Sequence, residues 1–154
     1  MESRWSEGGS STSSIIIEKS MIKYMSDEKE TKISALVVDD DAIIRKIHKT
    51  MLERLFNMEA ETVKDGKEAV DLHLSGANFD IIFMDKEMPI MDGHEATKHL
   101  RAMGVKSMIV GITTRGDDKD KEEFLAAGSN HCFEKPLDRA KVQQVLQEHE
   151  NFSI

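Results

Sequence analysis

The chain has 154 residues, enough for one domain with a full hydrophobic core and too few for two ordinary domains and a linker. A net charge of −8 argues against a nucleic-acid-binding surface, and the single cysteine, Cys132, excludes an intrachain disulfide and a zinc site of several thiolates. No run approaches the ~18 apolar residues of a membrane span, so a chain working in a reducing compartment, the cytoplasm and also the nucleus, is expected.

Residues 1–31 open with a Ser- and Gly-rich stretch and close on Asp27, Glu28, Lys29 and Glu30. This composition buries too little apolar area to offset the entropy of ordering, and a disordered tail is expected, with a short helix over Ile15 to Tyr24 as the alternative. From residue 32 to 150 a single domain is expected, with 151–154 as its C-terminal end. Ile33 to Val38 is a continuous apolar run, as a strand buried on both faces requires. Ala42 to Asn57 then spaces Ile43, Ile44, Ile47, Met51, Leu52 and Leu55 as the buried stripe of a helix.

The alternation repeats: a strand over Glu59 to Val63 and a helix over Lys67 to Leu74, then a strand over Asp80 to Asp85 and a helix over His94 to Met103, with Gly104 as its stop. Met108 to Thr113 forms a fourth strand, Asp117 to Ala127 a helix, Asn130 to Glu134 a short strand, and Asp138 to Glu148 a last helix capped by Asp138. Five strand–helix pairs with right-handed crossovers predict an α/β fold: a flavodoxin-like doubly wound (βα)5 sandwich on a parallel five-stranded sheet of order 2-1-3-4-5.

Ligands of such sheets bind beyond the carboxyl ends of the strands, where the order switches between the first and third. Those ends carry Asp39-Asp40-Asp41, Asp85, Thr113 and Lys135-Pro136. Carboxylates gathered at one edge repel each other and call for a hard divalent cation. Mg²⁺, or Mn²⁺, suits a set made of Asp40, Asp85, the main-chain carbonyl of Glu87 and a water held by Asp39. Asp85 can also act as nucleophile and form an aspartyl phosphate, with Lys135 and Thr113 meeting the phosphoryl oxygens. Asp41, beside the first helix, is read as a cap rather than a ligand.

Val37-Val38-Asp39-Asp40-Asp41, Met84-Asp85-Lys86-Glu87-Met88-Pro89, Met91-Asp92-Gly93, Ile112-Thr113-Thr114 and Glu134-Lys135-Pro136-Leu137 together resemble the receiver domain of two-component response regulators. The resemblance implies that Asp39 and Asp40 are the acidic metal pair, Asp85 the phosphoacceptor, Thr113 the switch hydroxyl and Lys135 the phosphate-sensing lysine. Met84 to Pro89, Ser107 to Gly111 and Asn130 to Leu137 further resemble the C-type response regulators of plants, receivers without an output domain. That implies a monomer whose partner is a histidine-containing phosphotransfer protein and which drains a cytokinin-type relay as a phosphohistidine phosphatase. The alternative is a messenger that exposes a phosphorylation-dependent binding surface. A haloacid-dehalogenase-like phosphatase is disfavoured because Glu87 stands where a second Asp is needed.

Receivers that switch shape carry an aromatic residue three positions before the lysine, and here that position is Cys132, with Phe133 expected on the opposite face of the strand. Glu87 and Arg115 are expected to pair across the mouth of the site. The six histidines are expected at the surface or its boundary, Cys132 is expected to be buried, and Lys86 is expected to be a solvated loop charge.

Overall fold

The computed structural model describes residues 12–23 and 31–152. The chain forms two compact units, 1–32 and 33–154, taken here separately. In the first, residues 12–23 form a helix, α1, which overlaps the short helix over Ile15 to Tyr24 given as the alternative to a disordered tail. Between Thr12 and Lys23 there is neither Gly nor Pro to interrupt it. The Gly-bearing start and the charge run at 27–30 lie outside the described residues.

In the second unit the order is β1 (Ser34–Val38), α2 (Ala42–Phe56), β2 (Glu59–Val63), α3 (Gly66–Leu74), β3 (Ile81–Asp85), α4 (Gly93–Ala102), β4 (Met108–Thr113), α5 (Asp118–Ala127), β5 (His131–Glu134) and α6 (Arg139–Phe152). All strand pairs are parallel and the sheet order is β2-β1-β3-β4-β5, as the alternation predicts. The last helix runs four residues beyond the expected Glu148.

Because side chains alternate along a strand, the sheet separates two cores. Ala35, Val37, Phe83 and Val110 pack with Leu52 of α2 and Val142 and Val145 of α6. Leu36, Val38, Met84 and Ile109 pack with Ala69 of α3, Leu100 of α4 and Phe124 of α5.

Aspartates start the helices. Asp41 accepts from Ile43 N at 2.8 Å, Asp65 from Glu68 N at 2.8 Å, Asp92 from Glu95 N at 2.9 Å and Asp117 from Asp120 N at 2.8 Å. Asp138, just before α6, accepts from Lys141 N at 2.9 Å. These caps satisfy amides that have no intrahelical partner, and they assign Asp41 and Asp138 as expected.

The α2 helix is rotated relative to its expected apolar stripe. His48 and Leu52, one turn apart, are its buried residues, whereas Ile43, Ile47 and Leu55 are 70%, 54% and 55% exposed. Six apolar residues span more of the helix circumference than the sheet can cover. The excess borders a groove of about 460 Å³ lined by Lys46, Ile47, Thr50, Met51, Arg54 and Leu55. Burial of His48, and of His73 on α3, also corrects the expectation that all histidines lie at the surface or its boundary.

Candidate functional site

The parallel register sets Asp85 opposite Ile112 and Thr113 opposite Glu134, so the ends of β3, β4 and β5 meet at one edge. The end of β1 delivers Asp39 and Asp40 to the same edge. Carboxylate atoms of Asp39, Asp40 and Asp85 lie within 4.8 Å of one another. Asp39 and Asp85 are buried and Asp40 is exposed. Asp39 Oδ1 accepts from Asp41 N at 2.9 Å, and Arg45 Nη1 donates to the Asp39 carbonyl at 2.7 Å, which fixes the turn after β1.

Lys135 Nζ stands 3.0 Å from Asp85 Oδ1, an ion pair without well-formed hydrogen-bond geometry, and neither Asp85 carboxylate oxygen has a hydrogen-bond donor. Burial pushes the Asp85 carboxyl up to about 6; Lys135 opposes the rise, and the charges of Asp39 and Asp40 add to it. Burial disfavours the Lys135 cation, yet Asp85, Asp39 and Glu87 outweigh it and hold the lysine above its ordinary value. Buried carboxylate oxygens lacking donors, in an all-oxygen acidic cluster, fit a hard divalent cation. The peptide bond between Lys135 and Pro136 is cis.

Gly93 follows the loop after Asp85, and its role is close approach rather than unusual backbone angles. A Cβ there would lie 2.2 Å from the Asp85 carbonyl oxygen, while Gly93 N donates to the Lys86 carbonyl at 2.9 Å. The left-handed residue of this loop is Ile90, at φ 69°.

Lys86 is not a solvated charge. Its ammonium donates to Asp120 Oδ1 in the first turn of α5, and the other Asp120 oxygen accepts from Thr113 Oγ1 at 3.0 Å. Thr113 is fully buried and Asp120 is 5% exposed. Lys86 holds the Asp120 carboxyl below its ordinary value against the effect of burial, with help from Thr113. Sequence reasoning passed over Asp120. The available signal was its place three residues after the capping Asp117, on a helix that starts five residues beyond Thr113.

Glu87 and Arg115 are both exposed and form no ion pair with each other; holding two long solvated side chains together gains little. Cys132 is half-buried rather than buried, and packs with the Phe124 core, whereas Phe133 packs on the other layer. Burial raises the Cys132 thiol to about 11, which keeps it protonated at neutral pH.

A five-stranded doubly wound sheet whose carboxyl edge gathers three aspartates and a lysine defines a receiver-type domain. The chain belongs to the family described as "Response regulator receiver domain", whose profile matches residues 35–147. It is 49% identical to "Two-component response regulator 24" of Arabidopsis thaliana over 117 residues, 76% of this chain and 84% of that protein.

Among solved structures it is similar to the Saccharomyces cerevisiae Ssk1 receiver domain co-crystallised with the histidine phosphotransfer protein Ypd1. That match has a TM-score of 0.72 and 27% identity and covers 79% of this chain and 91% of that one. It is also similar to the receiver domain of sensor histidine kinase PA1611 from Pseudomonas aeruginosa PAO1, which has a magnesium ion coordinated in its active-site cleft. There the TM-score is 0.68 and the identity 30%, covering 79% of this chain and 99% of that one. No described helix is long and apolar enough to cross a membrane.

Proposed function

We propose that this receiver takes a phosphoryl group from the phosphohistidine of a histidine-containing phosphotransfer protein onto Asp85 and then yields it to water, draining a relay of the cytokinin type. The observation that carries this reading is the buried Asp85 carboxylate, both oxygens without donors, between Lys135 and the Asp39–Asp40 pair.

At pH 7 Asp85 is mostly ionised, since its carboxyl titrates near 6. Its oxygen attacks phosphorus; the O–P bond forms as the N–P bond breaks, and the imidazole leaves with a proton from solvent. Water then attacks the phosphorus, the O–P bond breaks, and inorganic phosphate leaves as the Asp85 carboxylate is restored. Asp39, Asp40, Asp85 and the Glu87 main-chain carbonyl would hold Mg²⁺ or Mn²⁺, which neutralises charge on the transferring group. Lys135 meets one phosphoryl oxygen and the Thr113 hydroxyl another.

The relatives' complex with a phosphotransfer protein supports this class of partner. The exposed α2 residues Ile43 and Ile47, half-buried Ile44 and nearby Lys46, together with exposed Pro136, supply an apolar surface for it. Ile47→Asp should slow transfer from a phosphotransfer protein about 10-fold or more and leave uptake from phosphoramidate unchanged. Equal rates from the protein donor would remove α2 from the docking surface. Cys132, standing where shape-switching receivers place an aromatic, supports a drain over a messenger.

The deciding experiment incubates the chain with Mg²⁺ and a radiolabelled phosphohistidine phosphotransfer protein, beside Asp85→Asn. Label should leave the donor and appear as inorganic phosphate with the wild type alone. Loss of label at equal rates in both would defeat the acceptor assignment, and long-lived phosphoprotein would favour the messenger.

A further inference from the structure

We propose that Asp120 is a positioning residue that holds the Thr113 hydroxyl away from Asp85 until a phosphoryl group arrives, with Lys86 as the cation that lets it release that hydroxyl. This rests on the acceptor role of Asp85 proposed above.

A threonine hydroxyl has a single proton to give. In the resting chain that proton goes to Asp120 Oδ2, at 3.0 Å. Thr113 is fully buried, so water offers it no alternative partner. To donate to a phosphoryl oxygen on Asp85, Thr113 must leave Asp120. The two acceptors therefore compete for one proton, and the strength of the Asp120 bond sets how readily the site closes on its phosphoryl group.

A buried carboxylate stripped of a donor is costly unless another group keeps it paired. Lys86 meets that requirement: its ammonium is already on Oδ1 of the same carboxylate, and it is the residue directly after Asp85. The Asp120 amide is itself tied to the Asp117 side chain at 2.8 Å, so the carboxylate is carried on a capped first turn and does not drift. Neither Asp120 nor Lys86 belongs to the metal cluster of Asp39, Asp40 and Asp85, and the transfer chemistry leaves both without another task.

The test measures beryllium fluoride affinity with saturating Mg²⁺, as a phosphoryl mimic on the full chain, by ¹⁹F NMR. Asp120→Ala should tighten binding by about 3- to 10-fold, the range of one lost hydrogen bond, and should leave affinity unchanged in a Thr113→Ala background. Should Asp120→Ala not fold, Asp120→Asn keeps the volume and weakens the acceptor, and is expected to show a smaller tightening that again vanishes without the Thr113 hydroxyl. Equal tightening in both backgrounds would mean that removal of a negative charge acts through space, and would overturn the assignment. So would an affinity that Asp120→Ala leaves unchanged in the chain that keeps the Thr113 hydroxyl. A wild type that does not take the mimic at all defeats the acceptor reading of Asp85 itself, and is thereby told apart from failure of the Asp120 assignment.

Discussion

Lys135→Ala is expected to slow phosphoryl uptake by Asp85 by roughly 10²- to 10³-fold, the cost of removing one preorganised donor from a reacting oxyanion. Lys135 is the cation 3.0 Å from Asp85 Oδ1, and it sits at a strand edge where water is partly excluded, so its charge is weakly screened. Without metal, Lys135 is also the charge that opposes the effect of burial and of Asp39 and Asp40 on the Asp85 carboxyl. Uptake from phosphoramidate, followed by ³¹P NMR at saturating Mg²⁺, measures the effect. A rate within twofold of wild type would take Lys135 out of the phosphoryl-binding role.

The same carboxylate should limit stability when metal is chelated. The folded-state value of about 6 lies above the ordinary carboxyl value of 3.8, so the native chain holds this proton more tightly than the unfolded one. Stability from that proton is fully present below pH 3.8 and is lost as pH rises toward 6. At about 1.4 kcal/mol per pH unit, ionised Asp85 costs about 3 kcal/mol at pH 7. Asp85→Asn in EDTA should therefore be more stable than wild type by about 1–3 kcal/mol at pH 7, with the gap closing as pH falls from about 6 to about 4. Lys135, freed of its partner, is exposed enough to rehydrate, and this reduces the gain only in part. Urea midpoints at pH 7 and pH 4 give the answer; an Asn variant no more stable at pH 7 would show that burial does not strain this carboxylate.

The sheet was legible because β3 and β4 are uninterrupted apolar runs, and because each strand end was polar enough to mark where the ladder stops. Asp39, Asp40, Asp85, Thr113 and Lys135 could be brought to one edge by topology alone. What one dimension concealed was rotation and reach. The α2 sequence offers two overlapping apolar stripes, and nothing local says that the sheet receives the one containing His48 and Leu52. Gly93 invites a reading from backbone freedom, while what requires it is the Asp85 carbonyl against its Cα, a tertiary contact. Lys86 and Asp120 are 34 residues apart, on a loop and a helix whose approach depends on how α5 packs back against β4, so neither residue type nor spacing discloses the pair.

The bare isoleucines of α2 have a colloidal consequence. An uncovered apolar face is adhesive toward other copies of the chain. The net charge of −8 counteracts this by making encounters between copies repulsive. That protection reaches only as far as the ionic atmosphere allows, about 8 Å at physiological salt, so the acidity that looks unrelated to phosphoryl chemistry is part of what lets such a helix stay uncovered in a crowded solution.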